Sequence, residues 1–447
     1  MPDVDGLRAA AIAVLRRNDR GTMTTAGPDL YPHQWSWDAA FVAIGLARFD
    51  VTRAIVELRS LLAAQWRTGM IPHIVFDPNA SAYFPGPDRW NTVAAPAAPL
   101  HVRTSGLCQP AVHAIAVAHV LDRGRENGGV DEQRAVEFAA ESFDALVAWH
   151  RWLSTARDPD GVGLVEIHHG WESGMDNSPR WDSAYARVLP GDMAPFVRRD
   201  TEHVADVGER PTDEDYRRYL WLVHQLESVH YDDRAALEVI DFRVRDVFSS
   251  AILAAASDCL AEIGAGIGRG DRVGELSELA ARFRAGVEDS VDPATGLAQD
   301  FDVRAGEPVA GATIGGFAPL VSGCAAALRD RQRRLLLGPD WMASPGLRYP
   351  LPPSTSPTSV DFQPRRYWRG PVWPFLDLLL GWAAARDGDG DLAAALREPS
   401  LTQLTDDSFG AYPFGEYYEP LTGEPLGSRD QSWTAAAALE WLGQPTT

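Results

Sequence analysis

Residues 109–122 read QPAVHAIAVAHVLD. Val112, Ile115, Ala116 and His119 fall at the spacing of one face of an amphipathic helix. The same texture, apolar and rich in alanine, recurs near 6–17, 37–48, 51–66, 132–156, 214–228, 233–264, 273–288, 315–326, 370–385, 391–397 and 431–442. Between these stretches lie loops rich in Gly, Pro, Trp and Tyr, at 21–36, 67–107, 158–200, 340–370 and 405–430. Short extended pieces fit near 72–76 and 163–167, but no strand–helix alternation points to a parallel sheet. About a dozen helices joined alternately by short and long connections suit an all-α double ring, the (α/α)6 barrel. Long loops on one face of such a ring build the site, because connections on a rigid scaffold usually carry the chemistry.

The composition narrows the function. An apolar fraction of 45% is enough for a large core. All 41 Lys+Arg residues are Arg, which excludes a P-loop lysine and a Schiff-base lysine. The net charge of −21 argues against nucleic acid or an anionic membrane as partner. Cys108, Cys259 and Cys324 are odd in number and widely spaced, so neither a disulfide framework nor a zinc knuckle is suggested. The N-terminus is a short amphipathic helix rather than a signal peptide, and no apolar run is expected to reach the roughly 18 residues that span a bilayer. A soluble, cytoplasmic protein is the expectation, with the Asn79–Ser81 sequon meaningless there. A homo-oligomer stays open, since large barrels often pair through exposed faces. One catalytic domain is expected over 1–447, with insertions at about 67–100 and 191–231 capping the barrel mouth. The charge-dense 191–231 segment also reads as a plain surface excursion. The PSTSPTS run at 353–359 is the single low-complexity patch.

Four loop clusters could carry chemistry. In GWESGMDNSPRWD (170–182), Glu172 and Asp176 are four apart, so a helical turn would put both carboxyls on one face. Like charges raise one pKa, and Trp171 and Trp181 would desolvate the pair further. A carboxylic acid kept protonated in this way can donate a proton. The same stretch also reads as an acidic loop capping a helix through Asn177 and Ser178. In FGEYYEPLTGEPLGSRDQSW (414–433), Glu416, Glu419 and Glu424 alternate with tyrosines and glycines, which equally fits a solvated turn. LYPHQWSWDAAF (30–41) sets Trp35, Trp37 and Asp38 at a helix entry, and RRYWRGPVWPF (365–375) sets Trp368 and Trp373 around Gly370 and Pro371. Each alone is more often packing than ligand contact. Together, carboxyls and aromatic faces in distant loops suit glycoside cleavage, in which one acid protonates the leaving oxygen and a base activates water.

The ordered set QWSWD, GMIPHIVF (69–76), ESGMDNSPRW (172–181), YWRGPVWP (367–374), GEYYEPLTGE (415–424) and DQSWTAA (430–436) resembles glycoside hydrolase family sixty-three. Within that family it is most similar to the hydrolases of mannosylglycerate and glucosylglycerate, and more distantly to the (α/α)6 trehalases. The resemblance implies an inverting enzyme whose acid is Asp176, not Asp182, and whose base is Glu416, with Glu419 as the rival. It also implies a sugar site lined by Trp35, Trp37, Asp38, Gln109, Trp368, Gly370 and Trp373, closed by Tyr31 and Tyr83. A glycerate leaving group carries a carboxylate, which an Arg fork suits. Arg210 with Tyr216, helped by Tyr367 and Gln431, is the expected clamp, although Arg210 also reads as one solvated arginine among many.

The expected substrate is α-glucosylglycerate, with α-mannosylglycerate second. Alternatives are a neutral α-glucoside hydrolase of trehalase type and a non-catalytic sugar-binding toroid. Inversion calls for carboxyls roughly 6.5–9.5 Å apart, whereas about 5 Å indicates a retaining route. No cofactor or metal is expected: HExxH, GxSxG and a three-histidine spacing are all missing, and GAGIGRG (264–270) lacks dinucleotide-loop spacing.

Overall fold

A computed structural model of the chain describes residues 3–28, 30–80, 83–201 and 206–444. Ser81 of the sequon lies outside the described residues, and so does part of each expected insertion. Twelve helices carry the architecture: α1 (Val4–Asn18), α2 (Ser36–Ala47), α3 (Val51–Leu62), α4 (His113–Asn127), α5 (Gly129–Ala156), α6 (Val247–Gly266), α7 (Val273–Asp289), α8 (Ala318–Ser322), α9 (Ala326–Leu336), α10 (Pro374–Arg386), α11 (Gly390–Thr405) and α12 (Ser432–Gly443). The even-numbered helices form a closed inner ring, in which α2 meets α4, α4 meets α6, and so on until α12 meets α2 again. Each is backed by an odd-numbered neighbour outside. This is the (α/α)6 barrel.

Position in the ring explains composition. Every residue of α2 is buried, so its face has no polar side to alternate with. Gly45 allows α2 to approach α12, since a Cβ there would stand 2.4 Å from the Ala436 Cα. Helix α6 corrects the expectation about membrane-length runs. Its 20 residues are long and apolar enough to cross a bilayer, yet α4, α5, α7 and α8 bury most of them inside the protein.

The periodic run at 233–264 is not one helix. It splits into a helix Asp233–Val239, a strand Val244–Asp246 and α6. Asp246 fixes the break by accepting from the Phe248 N–H at 2.9 Å, which makes it the N-cap of α6. That strand sits in a four-stranded antiparallel sheet, ordered Val165–Ile167, Val244–Asp246, Asp300–Asp302, Glu307–Val309. Two-stranded pairs join Gln34–Trp35 to Ile74–Val75 and Tyr417–Tyr418 to Pro425–Leu426. The barrel is therefore helical with small sheets on its loops. The 315–326 run likewise holds only the short α8, ended by Gly323 in the left-handed region, before α9 begins.

A second apolar cluster lies apart from the ring core. It gathers Phe76 and Trp90 from one long loop, Trp171 and Trp181 from another, and Tyr216, Tyr219 and Leu222 from a helix at Asp213–Ser228. The segments at 67–100 and 191–231 touch one another there. Phe84 stacks on Phe196 at 5.9 Å, and Asn91 Nδ2 donates to Glu227 Oε1 at 2.9 Å.

Candidate active site

Trp37 and Asp38 stand in the first turn of α2 and Trp433 in the first turn of α12, so both inner helices begin at the same cavity. Neither helix has a side-chain hydrogen bond from its N-cap residue, so the electropositive N-terminal ends face a site rich in carboxyls. The cavity encloses about 430 Å³, enough for a small glycoside.

The acid loop is fixed from both sides of Asp176. Strand Val165–Ile167 delivers the chain to a single turn at Gly170–Ser173, and Gly174 then takes φ +70° against the face of Trp37. A Cβ on Gly174 would lie 2.3 Å from the Trp37 ring, so glycine is required there twice over. Met175 O accepts from Trp181 Nε1 at 2.9 Å, and Asn177 Oδ1 accepts from the Trp368 N–H at 2.9 Å. Between these clamps Asp176 lines the cavity. Burial raises its carboxyl to about 7; the nearby Arg210 opposes the shift and the Glu416 charge adds to it.

Glu416 enters from the opposite loop, held by Trp433 Nε1 and Thr434 Oγ1, which donate to the carbonyls of Glu416 and Gly415. Its Oε1 accepts from Tyr31 OH at 2.6 Å and Tyr367 OH at 3.2 Å, and its Oε2 accepts from the Ser428 N–H at 2.9 Å. Arg210 Nη1 stands 3.8 Å from Oε2. The Arg210 guanidinium lies over the Tyr367 ring at 4.2 Å and donates through Nη2 to Tyr31 OH at 3.1 Å. Its Nε and Nη1 are buried without a hydrogen-bond partner among the described residues. Tyr367 itself carries φ +36°, a strained backbone for a non-glycine residue at this position.

Of the residues expected from the sequence, Asp176, Glu416, Tyr31, Trp35, Trp37, Asp38, Tyr83, Gln109, Arg210, Tyr216 and Tyr367 meet in this one cavity. Burial lifts the Asp38 carboxyl well above its usual value, and the charges of Glu416 and Asp176 add to the shift. Gln109 Oε1 also accepts from the Trp37 N–H at 3.2 Å, tying the helix entry to its neighbour loop. Trp368, Gly370, Trp373 and Gln431 do not form the wall. Trp368 and Trp373 are buried and stacked at 3.7 Å, with Tyr367 packed edge-on against Trp373. Gly370 sits against the Gln363 carbonyl, and Gln431 is fully buried before α12.

The expected Glu172–Asp176 pair is a further correction. Glu172 turns the other way and takes both guanidinium nitrogens of Arg157, at 2.6 and 2.7 Å. Burial pushes its carboxyl up, but Arg157 and His168 together outweigh this and leave it below the usual range. Trp181 does not line the cavity; it is buried in the second cluster and anchors Met175. The rivals are occupied as well. Asp182 is held by Arg369 at 2.8 and 2.7 Å, and Glu419 accepts from the N–H groups of its own turn, Leu421 and Thr422.

Trp171, expected beside the acid, lines the cavity too, and so does His73, which reads from the sequence as a hydrogen-bonding pocket or core residue; Asn79, Gly174, Arg199, Asp200 and Trp433 join the wall without having been singled out for it. Burial drives His73 down to about 3, so it faces the cavity as a neutral ring, with Nδ1 and Ser105 Oγ 2.8 Å apart. Among the described residues no group of three or more His, Cys, Asp or Glu is placed to hold a metal ion.

Residues 31–434 match the mannosylglycerate hydrolase MGH1-like glycoside hydrolase domain. The chain belongs to the MGH1-like glycoside hydrolases. It is 52% identical over 442 residues, 98% of each chain, to the glucosylglycerate hydrolase of Mycolicibacterium hassiacum. The crystal structure of a family sixty-three mannosylglycerate hydrolase from Thermus thermophilus, in complex with Tris and D-glycerate, superposes with a TM-score of 0.87 at 40% identity, covering 97% of this chain and 99% of that one. The same enzyme in complex with glucose superposes with a TM-score of 0.85 over the same shares. In this MGH1-like hydrolase, the family match covers every cavity-lining residue except Pro28 and Leu30.

Proposed function

We propose that this chain is an inverting glycosidase acting in the cytoplasm. It hydrolyses α-glucosylglycerate, and secondarily α-mannosylglycerate, to hexose and glycerate. The observation that carries this reading is the meeting of two carboxyls, from loops distant in sequence, beside a buried arginine with uncommitted nitrogens. Asp176, raised to about 7, is the general acid that protonates the glycosidic oxygen. Glu416, with Tyr31, Tyr367 and the Ser428 N–H converging on its oxygens, is the base that takes a proton from water. Water attacks the anomeric carbon as the bond to glycerate breaks; the proton of Asp176 leaves on the glycerate hydroxyl, and Glu416 takes a different proton from the water.

Trp35, Trp37, Asp38 and Gln109 take the hexose, with aromatic faces against the ring and polar groups on its hydroxyls. Tyr83, Arg210, Tyr216 and Tyr367 take the glycerate, whose carboxylate meets Arg210 Nε and Nη1. Trp368, Gly370, Trp373 and Gln431 serve from behind, holding Tyr367 and the α12 entry. Segments 67–100 and 191–231 form the cap that excludes bulk water. The 52% identity to a glucosylglycerate hydrolase, against 40% for the Thermus thermophilus mannosylglycerate hydrolase, supports the glucosyl preference.

A proton NMR time course on α-glucosylglycerate tests the reading. β-Glucose appears first if water enters opposite the leaving group; initial α-glucose refutes inversion. The amide of the same substrate tests the clamp, and equal turnover of acid and amide removes Arg210 from its role.

A further inference from the structure

Arg210 is poised between two carboxylates. Its Nη1 lies 3.8 Å from Glu416 Oε2 and its Nε 3.6 Å from Asp200 Oδ2, ion-pair distances at which neither carboxylate takes a hydrogen bond from Arg210. Asp200 is itself buried and lines the cavity. An uncommitted carboxylate so near a guanidinium should close the gap, because charge-assisted hydrogen bonds form at about 2.7–2.9 Å. Closing it would occupy the nitrogen that an anionic aglycone needs.

The reason it stays open is on the other side of Asp200. Arg198 grips that carboxylate with both arms, Nε to Oδ1 at 3.0 Å and Nη2 to Oδ2 at 2.7 Å. Arg198 is in turn fixed over the Tyr216 ring at 4.3 Å and by Asp213 Oδ1 at 3.0 Å, in the first turn of the Asp213–Ser228 helix. Arg198 is thus the buried partner of Asp200, with Asp213 on its solvent side, and Arg210 is left to be shared between Glu416 and whatever enters.

We propose that Arg198 is a positioning residue that holds Asp200 away from Arg210, and so sets the selectivity of the cavity for glycosides with a carboxylate on the leaving group. The inference rests on the reading of Arg210 given above and adds its cause. Without Arg198, Asp200 swings onto Arg210 Nε and competes with substrate. The loss then falls on KM for anionic substrates more than on kcat, and removing the competitor cures it.

The test compares α-glucosylglycerate with α-glucosylglycerol, which lacks the carboxylate, in Arg198→Met, Asp200→Asn and the double variant. Arg198→Met is expected to lower the acid-to-neutral ratio of kcat/KM by about tenfold or more, mainly through KM of the acid. Asp200→Asn alone keeps the ratio at or above wild type. The double variant recovers it to within about threefold, the coupling expected of neighbours acting through one another. An unchanged ratio in Arg198→Met overturns the inference, as does a double variant as poor as the single one, which would point to lost packing on Tyr216. If Arg198→Met does not fold, a fall in the ratio for Asp200→Asn overturns it on its own. A wild type without preference for the acid sinks the Arg210 clamp and this inference together, whereas wild-type preference with an indifferent Arg198→Met sinks this inference alone.

Discussion

Asp176 and Glu416 divide their work through their surroundings. Asp176 sits on the cavity side of a desolvated loop, and its carboxyl rises from 3.8 to about 7. A general acid must be protonated in the free enzyme, so kcat/KM is expected to fall as pH climbs through about 7. Asp176→Asn should lower kcat by at least about 10³-fold, the upper range for general-acid catalysis combined with leaving-group protonation. The same shift bears on stability. Between pH 4 and 7 the folded wild type holds a proton that the unfolded chain has released, so stability declines as pH rises through that window. Asp176→Asn escapes the decline. It is expected to match wild type in urea unfolding at pH 4 and to exceed it by a few kcal/mol at pH 8; equal stabilities at both pH values would show that the carboxyl is not desolvated. Glu416 and Glu419 separate in a different way. Glu416→Gln should abolish turnover with the fold intact. Glu419→Gln should keep turnover and cost about 1 kcal/mol, since it loses acceptors for its own turn. Circular dichroism melts alongside single-turnover rates distinguish the two.

The acid loop works because neighbouring elements hold it, and Arg180 is the main anchor. It lies between Asp246 and Asp300, at 3.1 and 2.9 Å, over the Trp181 ring and beside Met175 Sδ at 3.3 Å. Arg180→Met leaves two buried carboxyls facing each other. Loss of one partner from such a cluster costs about 3–5 kcal/mol. Asp300, raised to about 6 chiefly by burial, can relieve part of the cost by taking a proton. The destabilisation should therefore be smaller at pH 5 than at pH 8 in denaturant unfolding, and kcat should fall because Met175 no longer holds Asp176 in register. This anchoring marks the limit of what the sequence discloses. Apolar, alanine-rich stretches located the ring helices, because an inner helix is buried on nearly all sides and needs no polar face. The spacing of Glu172 and Asp176 misled, because their fates depend on Gly174 turning left-handed and on Arg157, which reaches Glu172 from before the strand. Trp368 and Trp373 were indistinguishable from Trp35 and Trp37 in one dimension: an aromatic beside a Gly–Pro turn has the same letters whether its face meets a sugar or another indole. Arg199 and Asp200 left no local pattern, since they reach the wall only when separate loops meet.

The whole molecule opposes the substrate proposed for it. With a net charge of −21 and no lysine, it repels an anion approaching from solution, and the attraction of Arg210 acts only once the cavity is reached. For a chain of this length, with a radius of gyration of roughly 22 Å, the repulsion at the surface is on the order of 1–2 kcal/mol at 10 mM salt. At 150 mM the Debye length shortens to about 8 Å and less than half of this survives. The contact with Arg210 is screened far less, because the guanidinium is buried among Tyr31, Tyr367 and Asp200 and salt ions do not reach it. Repulsion on the way in therefore weakens faster with salt than attraction at the end. The expected result is that kcat/KM for α-glucosylglycerate rises about threefold between 10 and 150 mM sodium chloride, while that for neutral α-glucosylglycerol stays flat. Initial rates at low substrate concentration, where kcat/KM alone governs, measure the difference directly. A fall with salt for the acid substrate would mean that its path crosses a positive surface, and Arg199 at the cavity wall would be the first residue to replace.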